Sequence, residues 1–112
     1  MKGLNNIMLT GNEGKDSEVQ ILEYNIRVAR FSLATTETYK DEKGRNMSHT
    51  EWHSIILWRG LAVLAKNYVR KGSLIHVEGK NMTRKYVDKE GNTKYATEII
   101  GDQIILLDKK EA

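Results

Sequence analysis

The stretch between residues 50 and 72, TEWHSIILWRGLAVLAKNYVRKG, contains two different spacings of apolar side chains. Over residues 50–58 the side chains alternate between two faces, which is the pattern of a half-buried β-strand, and no other segment of the chain shows it as clearly. Over residues 61–70 the apolar residues recur at intervals of three and four, which predicts a helix, and Gly72 fits the C′ position after it. The stretch therefore predicts one strand followed directly by one short helix.

Upstream of this stretch the chain consists of short β-type segments. Residues 6–10 and their continuation at 18–22 predict one strand bent at a glycine-bounded break. Residues 26–35 predict the second strand, in which Phe31 has the parity of the core-facing side chains. Residues 39–48 are polar and charged around a glycine, which predicts a hairpin loop leading into the third strand.

Downstream of the helix two more strands follow. Residues 74–86 alternate as one long strand with Gly79 at a bulge or bend, residues 88–92 predict a hairpin, and residues 95–100 and 104–107 form a last, interrupted strand. Three strands, one short helix between strands 3 and 4, and two further strands predict an all-β fold, a five-stranded Greek-key barrel of the OB type. Such barrels bind oligonucleotides or oligosaccharides with one sheet face and the adjoining loops.

Length and composition narrow the function further. The 112 residues suit a single domain, taken as residues 1–108, with 109–112 as a short C-terminal end. Cysteine is absent, which excludes disulfides, thiolate metal sites and a cysteine nucleophile. No apolar run approaches the roughly 18 residues of a membrane span, so a cytoplasmic protein is expected. A net charge of +3 fits a polyanionic partner, but it also fits an ordinary solvated surface.

Two tryptophans are the first candidates for a binding surface. Trp52 and Trp58 share one face of the third strand, while His53, Ile55 and Leu57 share the other. The two rings are separated by about 20 Å along the strand, a distance that suits different nucleotides of one nucleic-acid strand. Burial in the barrel core or in a subunit interface remains the alternative, because large aromatic side chains are often buried.

Two tyrosines extend the candidate surface. Tyr39 is followed by Lys40, and Tyr86 is preceded by Arg84 and Lys85. A single strand offers base faces for stacking and phosphates for cations, so aromatic residues beside basic ones suit it. The alternative is that each tyrosine lies at the base of a solvated hairpin.

The motifs around these residues, taken together and in order, resemble those of bacterial single-stranded DNA-binding proteins. Each is weak by itself, but their combination is specific and covers nearly the whole chain: LTGN at 9–12 with GKD at 14–16 and EV at 18–19, FSLAT at 31–35, TEWH at 50–53, YVRKGS at 68–73, VEG at 77–79 and TRKY at 83–86. The resemblance implies an OB fold, binding of single-stranded DNA without chemistry during replication, recombination and repair, and assembly as a homotetramer. It also implies a nucleoid-associated protein that needs no cofactor.

The resemblance also implies roles for single residues. It implies that bases stack on Trp52, Trp58, Tyr39 and Tyr86. Trp58 stands where the family usually has phenylalanine, and both tyrosines stand where tryptophan is familiar. His53 resembles a residue that supports subunit contacts. Ser54 stands where a basic residue is typical, and Arg59-Gly60 inverts the usual glycine-lysine order. The residues that fall where the family contacts phosphate are Arg70, Lys71, Arg84 and Lys85. The further basic residues predicted to bind DNA are Lys40, Lys43 and Arg59.

The C-terminal end departs from the family pattern. Residues 109–112, KKEA, end the chain without the flexible linker and the acidic, phenylalanine-ended tip through which the family usually recruits replication and repair proteins. A naturally short member and a trimmed protein both fit this ending. Protein partners of that kind are therefore left open.

Two rival functions remain. His49, Glu51 and His53 alternate along the third strand and could converge as metal ligands in an enzyme, although no activated nucleophile or glycine-rich phosphate loop accompanies them. A different binding module, such as a primosome-type OB protein or a binder of RNA or oligosaccharide, is the second rival. A sugar site would have isolated aromatic platforms with few cations, whereas RNA and DNA are not distinguished by these residues.

Overall fold

The computed structural model describes residues 3–14 and 18–107. Within them the chain forms six β-strands, one α-helix and one 3₁₀ turn. In chain order these are β1 (Ile7–Glu13), β2 (Glu18–Ile21), the 3₁₀ turn (Glu23–Asn25), β3 (Arg27–Lys40), β4 (Asn46–Trp58), α1 (Gly60–Tyr68), β5 (Leu74–Val87) and β6 (Thr93–Leu106).

The strands close into a barrel. β1 pairs antiparallel with β5 along most of its length and reaches β3 at its end, where Glu13 lies opposite Leu33. β2 also pairs with β3, with Glu18 opposite Arg30, so β1 and β2 behave as one bent strand. The remaining pairs are β5 with β6, β6 parallel with β4, and β4 with β3. The predicted five-stranded OB barrel is confirmed, and its helix lies, as predicted, between the third and fourth barrel strands, which are β4 and β5.

The barrel interior is filled by aliphatic side chains of alternating strand positions. Phe31, predicted for the core, is 5% exposed and belongs to it. Ala62 and Ala65 of α1 are fully buried against the same cluster, which explains why the helix has small residues on that side. Burial of each large aliphatic side chain stabilises the folded state by about 1.5 to 3 kcal/mol. The largest fully buried side chains are Leu33, Ile55, Leu57, Ile75, Val28, Val69 and Val77.

The hairpin between β3 and β4 differs from the prediction. Residues 39–48 were expected to form a loop, but the two strands stay paired as far as Lys40 opposite Asn46. Only residues 41–45 form the connection. The prediction was wrong because both faces of this paired segment are exposed, so its sequence lacks the apolar alternation that marks a half-buried strand.

The helix is shorter than the predicted span 61–70. α1 ends at Tyr68, because Val69 has an extended backbone (φ −97°, ψ 124°) that directs its side chain into the core. Gly72 is therefore not the C′ residue. It has φ +86° in the following turn, where its N–H donates to the carbonyl oxygen of Glu13 (2.8 Å) and ties the turn to β1.

Two predicted breaks lie inside strands. β1 runs on through Gly11 to Glu13, where the prediction had ended it at residue 10. β6 is continuous where the prediction interrupted it, because the interruption is a bulge: Glu78 pairs with Gln103 and Gly79 with Gly101. Glycines had been taken as chain breaks at both places, whereas here they allow bending within a continuous strand.

Candidate nucleic-acid interface

The two tryptophans of β4 are exposed. Trp52 is 60% and Trp58 is 41% exposed, whereas Ile55 and Leu57 on the opposite face are buried. This outcome follows from strand alternation and excludes the barrel core as the place of either ring. The side of the sheet that carries both rings is called the tryptophan face below. On β4 it comprises Trp52, Ser54, Ile56 and Trp58.

The position of the Trp52 ring depends on a neighbouring glycine. A Cβ atom at Gly14 would lie 2.5 Å from Cζ3 of Trp52 and 3.1 Å from the Ser32 hydroxyl oxygen. The ring therefore lies over backbone that has no side chain, just after β1. Gly14 is a residue that the sequence argument did not assign to the site, and its place in the GKD motif was the one signal available.

Tyr86 of β5 shares the tryptophan face. The chain of pairings that runs from Ile56 to Ile100 and from Arg84 to Ala96 puts Arg84 and Tyr86 on this side of the sheet. The Arg84 guanidinium carbon lies 5.3 Å from the centroid of the Tyr86 ring, a cation–π contact. Three of the four predicted aromatic residues thus lie on one face.

Tyr39 does not share that face. It lies opposite Met47, and its parity along β3 is that of Leu33, whereas Ala34 is the partner of Trp52. The tyrosine is 53% exposed, because this part of the hairpin lies beyond the core and both of its faces meet solvent. In this hairpin, Tyr39 is therefore accessible to solvent although it faces away from the tryptophans.

The predicted basic residues occupy different surroundings. Lys40 ends β3 with the parity of the tryptophan face, Lys43 lies in the hairpin turn, and Lys85 has the opposite parity to Tyr86. Arg59, directly after Trp58, has φ +59° at the start of α1, a strained backbone for a residue with a side chain. Lys71 lies exposed in the turn after α1.

Arg70 has a structural task at the end of α1. Its Nη1 donates to the carbonyl oxygens of Lys66 (2.7 Å) and Val69 (3.1 Å), and its Nη2 donates to that of Asn67 (3.2 Å). A cation that caps the last carbonyls also opposes the negative end of the helix dipole. The guanidinium is thereby held at the helix end.

A buried carboxylate on the tryptophan face was not foreseen. Glu98 of β6 accepts hydrogen bonds from Arg30 Nη1 and Arg84 Nε, each at 2.8 Å. The hydrogen bond from Arg84 is the main cause that lowers the pKa of Glu98, and the same bond raises the pKa of Arg84. Arg30 and Glu98 also line a pocket of about 310 Å³, together with Ser54, which lies between the two tryptophans along β4. Sequence offered no signal for this triad, because its members come from three different strands, β3, β5 and β6, whose register the local spacing does not give.

The histidines near the tryptophans are engaged with neighbours. His53 is half-buried, and its Nε2 lies 2.9 Å from the Thr35 hydroxyl oxygen. His49 Nε2 lies 2.7 Å from Glu51 Oε1, and this hydrogen bond is the main cause that lowers the pKa of Glu51. Within residues 3–14 and 18–107 no group of three or more histidine, aspartate or glutamate side chains is arranged to hold a metal ion.

The closed barrel, with its helix between the third and fourth barrel strands, defines the chain as an OB-fold domain, and one side of its sheet exposes aromatic side chains. The sequence model of the single-strand binding protein family matches residues 4–107. The chain belongs to this family, and the resemblance noted in the sequence is confirmed. Because the family consists of DNA-binding proteins that catalyse no reaction, the expectation that the chain is not an enzyme is confirmed as well.

Individual relatives agree. Single-stranded DNA-binding protein 1 of Xylella fastidiosa is 38% identical over 99% of this chain and 82% of its own length. The single-stranded DNA-binding proteins of Xanthomonas campestris and Neisseria meningitidis are 37% and 38% identical over 95% and 93% of this chain. A solved structure described as a Plasmodium falciparum SSB complex with ssDNA superposes with a TM-score of 0.85 at 38% identity, covering 96% of this chain and 98% of that one.

Two of these relatives are considerably longer than this chain. It spans 62% of the Xanthomonas protein and 60% of the Neisseria protein. The predicted C-terminal end, residues 109–112, lies outside the described residues. In the part of the chain that is described, no helix is long and apolar enough to cross a membrane.

Proposed function

We propose that this chain binds single-stranded DNA with little sequence preference, stacking bases on aromatic side chains and contacting phosphates through lysine and arginine. The observation that carries the proposal is the exposure of Trp52 and Trp58 on one strand face. Exposed indole rings are costly to leave in water and give every base a surface on which to stack. Membership of the single-strand binding family and the similarity to a structure named as a complex with single-stranded DNA support the same function.

The stacking platforms that we propose are the two tryptophans with Tyr86 on the tryptophan face, and Tyr39 on the hairpin beside it. Stacking of one base on one aromatic side chain contributes about 1 to 3 kcal/mol and tolerates any base. The platforms therefore account for affinity without base-specific hydrogen bonds, as binding with little sequence preference requires.

Phosphate contacts fall to the basic residues near the platforms. We assign them to the exposed side chains Lys40, Lys43, Arg59, Lys71 and Lys85. Arg70 receives a smaller share because its guanidinium caps α1. Each phosphate neutralised should make the slope of log affinity against log salt about 0.7 more negative.

Assembly and cellular role follow the family in this proposal. We infer that the chain forms a homotetramer in which His53 supports subunit contacts, and that it protects single strands during replication, recombination and repair in the cytoplasm, at the nucleoid. The membership in the family supports these roles. Partner proteins are a separate question, since the relatives carry additional length.

A fluorescence titration with oligothymidine tests the binding. We expect tryptophan emission to be quenched as bases stack, and we expect Trp52→Ala and Trp58→Ala each to weaken binding by about 1 to 3 kcal/mol. Trp52→Phe and Trp58→Phe are the matched controls, because they keep an aromatic face at the same place and should retain most of the affinity. Light scattering on the same samples measures the assembly.

Two results would contradict the proposal. One is a titration in which the wild-type chain neither quenches nor binds the oligomer. The other is an equal affinity for duplex DNA, in which base faces are not available for stacking.

A further inference from the structure

Glu98 is an unusual residue for a surface that binds a polyanion. It is 7% exposed and lies on the tryptophan face, where its charge repels phosphates. Both of its oxygen atoms accept hydrogen bonds, one from Arg30 of β3 and one from Arg84 of β5. Two strands that lie on either side of β4 and β6 are thus joined through one carboxylate.

The contact with Arg84 fixes more than a charge pair. Because Nε of Arg84 donates to Glu98, the plane of the guanidinium is held, and its carbon is positioned 5.3 Å from the Tyr86 ring centre. A guanidinium held in this way is also less available to a phosphate, since its Nε–H is already engaged and part of its charge is compensated by the carboxylate that it shares with Arg30. The side chain is therefore committed to two neighbours within the protein.

We propose that Glu98 is a positioning residue of the DNA-binding surface: it holds Arg84 against Tyr86, so that Arg84 acts through the tyrosine ring and not as a phosphate ligand. The inference rests on the proposed function. One face of the Tyr86 ring carries the cation, and the opposite face is left for a base. The bound guanidinium restricts the rotation of the ring, which lowers the entropy lost when a base stacks on it.

A simple electrostatic view predicts the opposite result. If Glu98 only repelled DNA, its removal would strengthen binding, and Arg84 would become free to contact a phosphate. The two views therefore differ in the sign of one measurement. Glu98→Gln makes that measurement possible, because it removes the charge and keeps the size and one acceptor oxygen.

The experiment measures affinity for oligothymidine at several salt concentrations. We expect Glu98→Gln to weaken binding about fivefold or more, the lower end of a stacking contribution, with an unchanged salt slope. Glu90→Gln is the matched control: it removes the same charge from the turn of the same hairpin, where the backbone of residue 90, and not its side chain, bonds Asp88. Glu90→Gln should not weaken binding.

A second measurement separates positioning from general structure. In a Tyr86→Ala background the platform is absent, so Glu98→Gln should change affinity less than about twofold, within the scatter of independent sites. Arg84→Lys keeps the charge and loses the planar fork, so it should weaken binding as Glu98→Gln does. Because the Arg84 side chain is half-exposed, Arg84→Lys also provides the test should Glu98→Gln fail to fold.

The inference would be overturned if Glu98→Gln bound more tightly than wild type. It would also be overturned if the slope of log affinity against log salt became about 0.7 less negative in Arg84→Ala, because either result makes Arg84 a phosphate ligand. An undiminished effect of Glu98→Gln without Tyr86 would overturn it too. Failure of the proposed function is distinguishable, since it would appear as absent binding by the wild-type chain in the same titration.

Discussion

Two hairpins extend the barrel sheet, and their turns are built alike. The β3–β4 arm comprises residues 36–50 and the β5–β6 arm residues 83–97. In each, an aspartate side chain, Asp41 or Asp88, accepts N–H groups from residues two and four positions ahead. In each, a glycine three positions after it has positive φ, and a tyrosine lies two positions before it.

The neighbours of the two tyrosines are different. Tyr39 lies opposite Met47, whereas Tyr86 lies opposite Lys94. Two positions before the tyrosine, the first arm has Glu37 and the second has Arg84. The first arm carries three basic and three acidic residues, and the second carries four basic and two acidic. A common turn sequence thus gives a common backbone, while the cross-strand neighbours decide whether the tyrosine stands among cations.

The largest expected difference concerns the tyrosines themselves. Tyr86→Ala should weaken binding of oligothymidine by about 1 to 3 kcal/mol, whereas Tyr39→Ala should lose an amount at or below the low end of that range. The reason is that only Tyr86 has an arginine against its ring and shares the tryptophan face. Fluorescence titration measures both, with Tyr86→Phe and Tyr39→Phe as controls that keep the ring. Equal losses would mean that the two arms serve alike.

A reciprocal exchange of the cross-strand partners should have an intermediate effect. Met47→Lys gives the first arm the cation of the second, and Lys94→Met removes it there. One phosphate contact changes the salt slope by about 0.7, and Lys94 beside Tyr86 is here taken as a phosphate contact in addition to those assigned above. We therefore expect the slope to become steeper by about that amount in the first variant and shallower in the second. If neither slope changes, the arms lie off the path of the phosphates.

The smallest effect that we expect is on stability in acid, and it concerns the β5–β6 side. Hydrogen bonding to Arg84 lowers the pKa of Glu98 below its usual 4.5, while burial offsets part of this shift. Glu98 therefore stabilises the fold above pH 4.5, and this contribution is lost as pH falls through its folded pKa. Urea denaturation from neutral pH to about pH 3 should show a smaller loss of unfolding free energy for Glu98→Gln than for wild type. Identical pH profiles would contradict a charged, paired Glu98.

Much of the fold could be predicted because the barrel strands are half-buried. The alternation of β4 and the three-to-four spacing of α1 leave a direct mark on the sequence, since buried positions must be apolar. The β3–β4 arm was not predicted as paired strands, because both of its faces are exposed and no apolar alternation is required there. Most of the β5–β6 arm was predicted, because it continues two strands whose alternation begins in the barrel. The end of α1 was misplaced because Val69 continues the helical spacing while its backbone is already extended.

The candidate site divides in the same way. Parity separated Trp52 and Trp58 from Ile55 and Leu57, and the structure agrees. It could not separate Tyr39 from the tryptophan face, because the relation between two strands depends on their register. Nor could it show that Arg70 caps α1, since a basic residue after a helix has the same sequence signature in either role.

The sequence by itself determined the order of elements, the filling of the core and the separation of the two tryptophans from the core-facing side chains of β4, because each depends on periods within one segment. Only the tertiary structure decided which side chains meet on the tryptophan face. Arg30, Arg84 and Glu98 come together through pairings between strands up to 68 positions apart, and Gly14 lies beneath Trp52 for the same reason. Contacts of this kind are set by barrel closure and strand register, which local spacing does not encode.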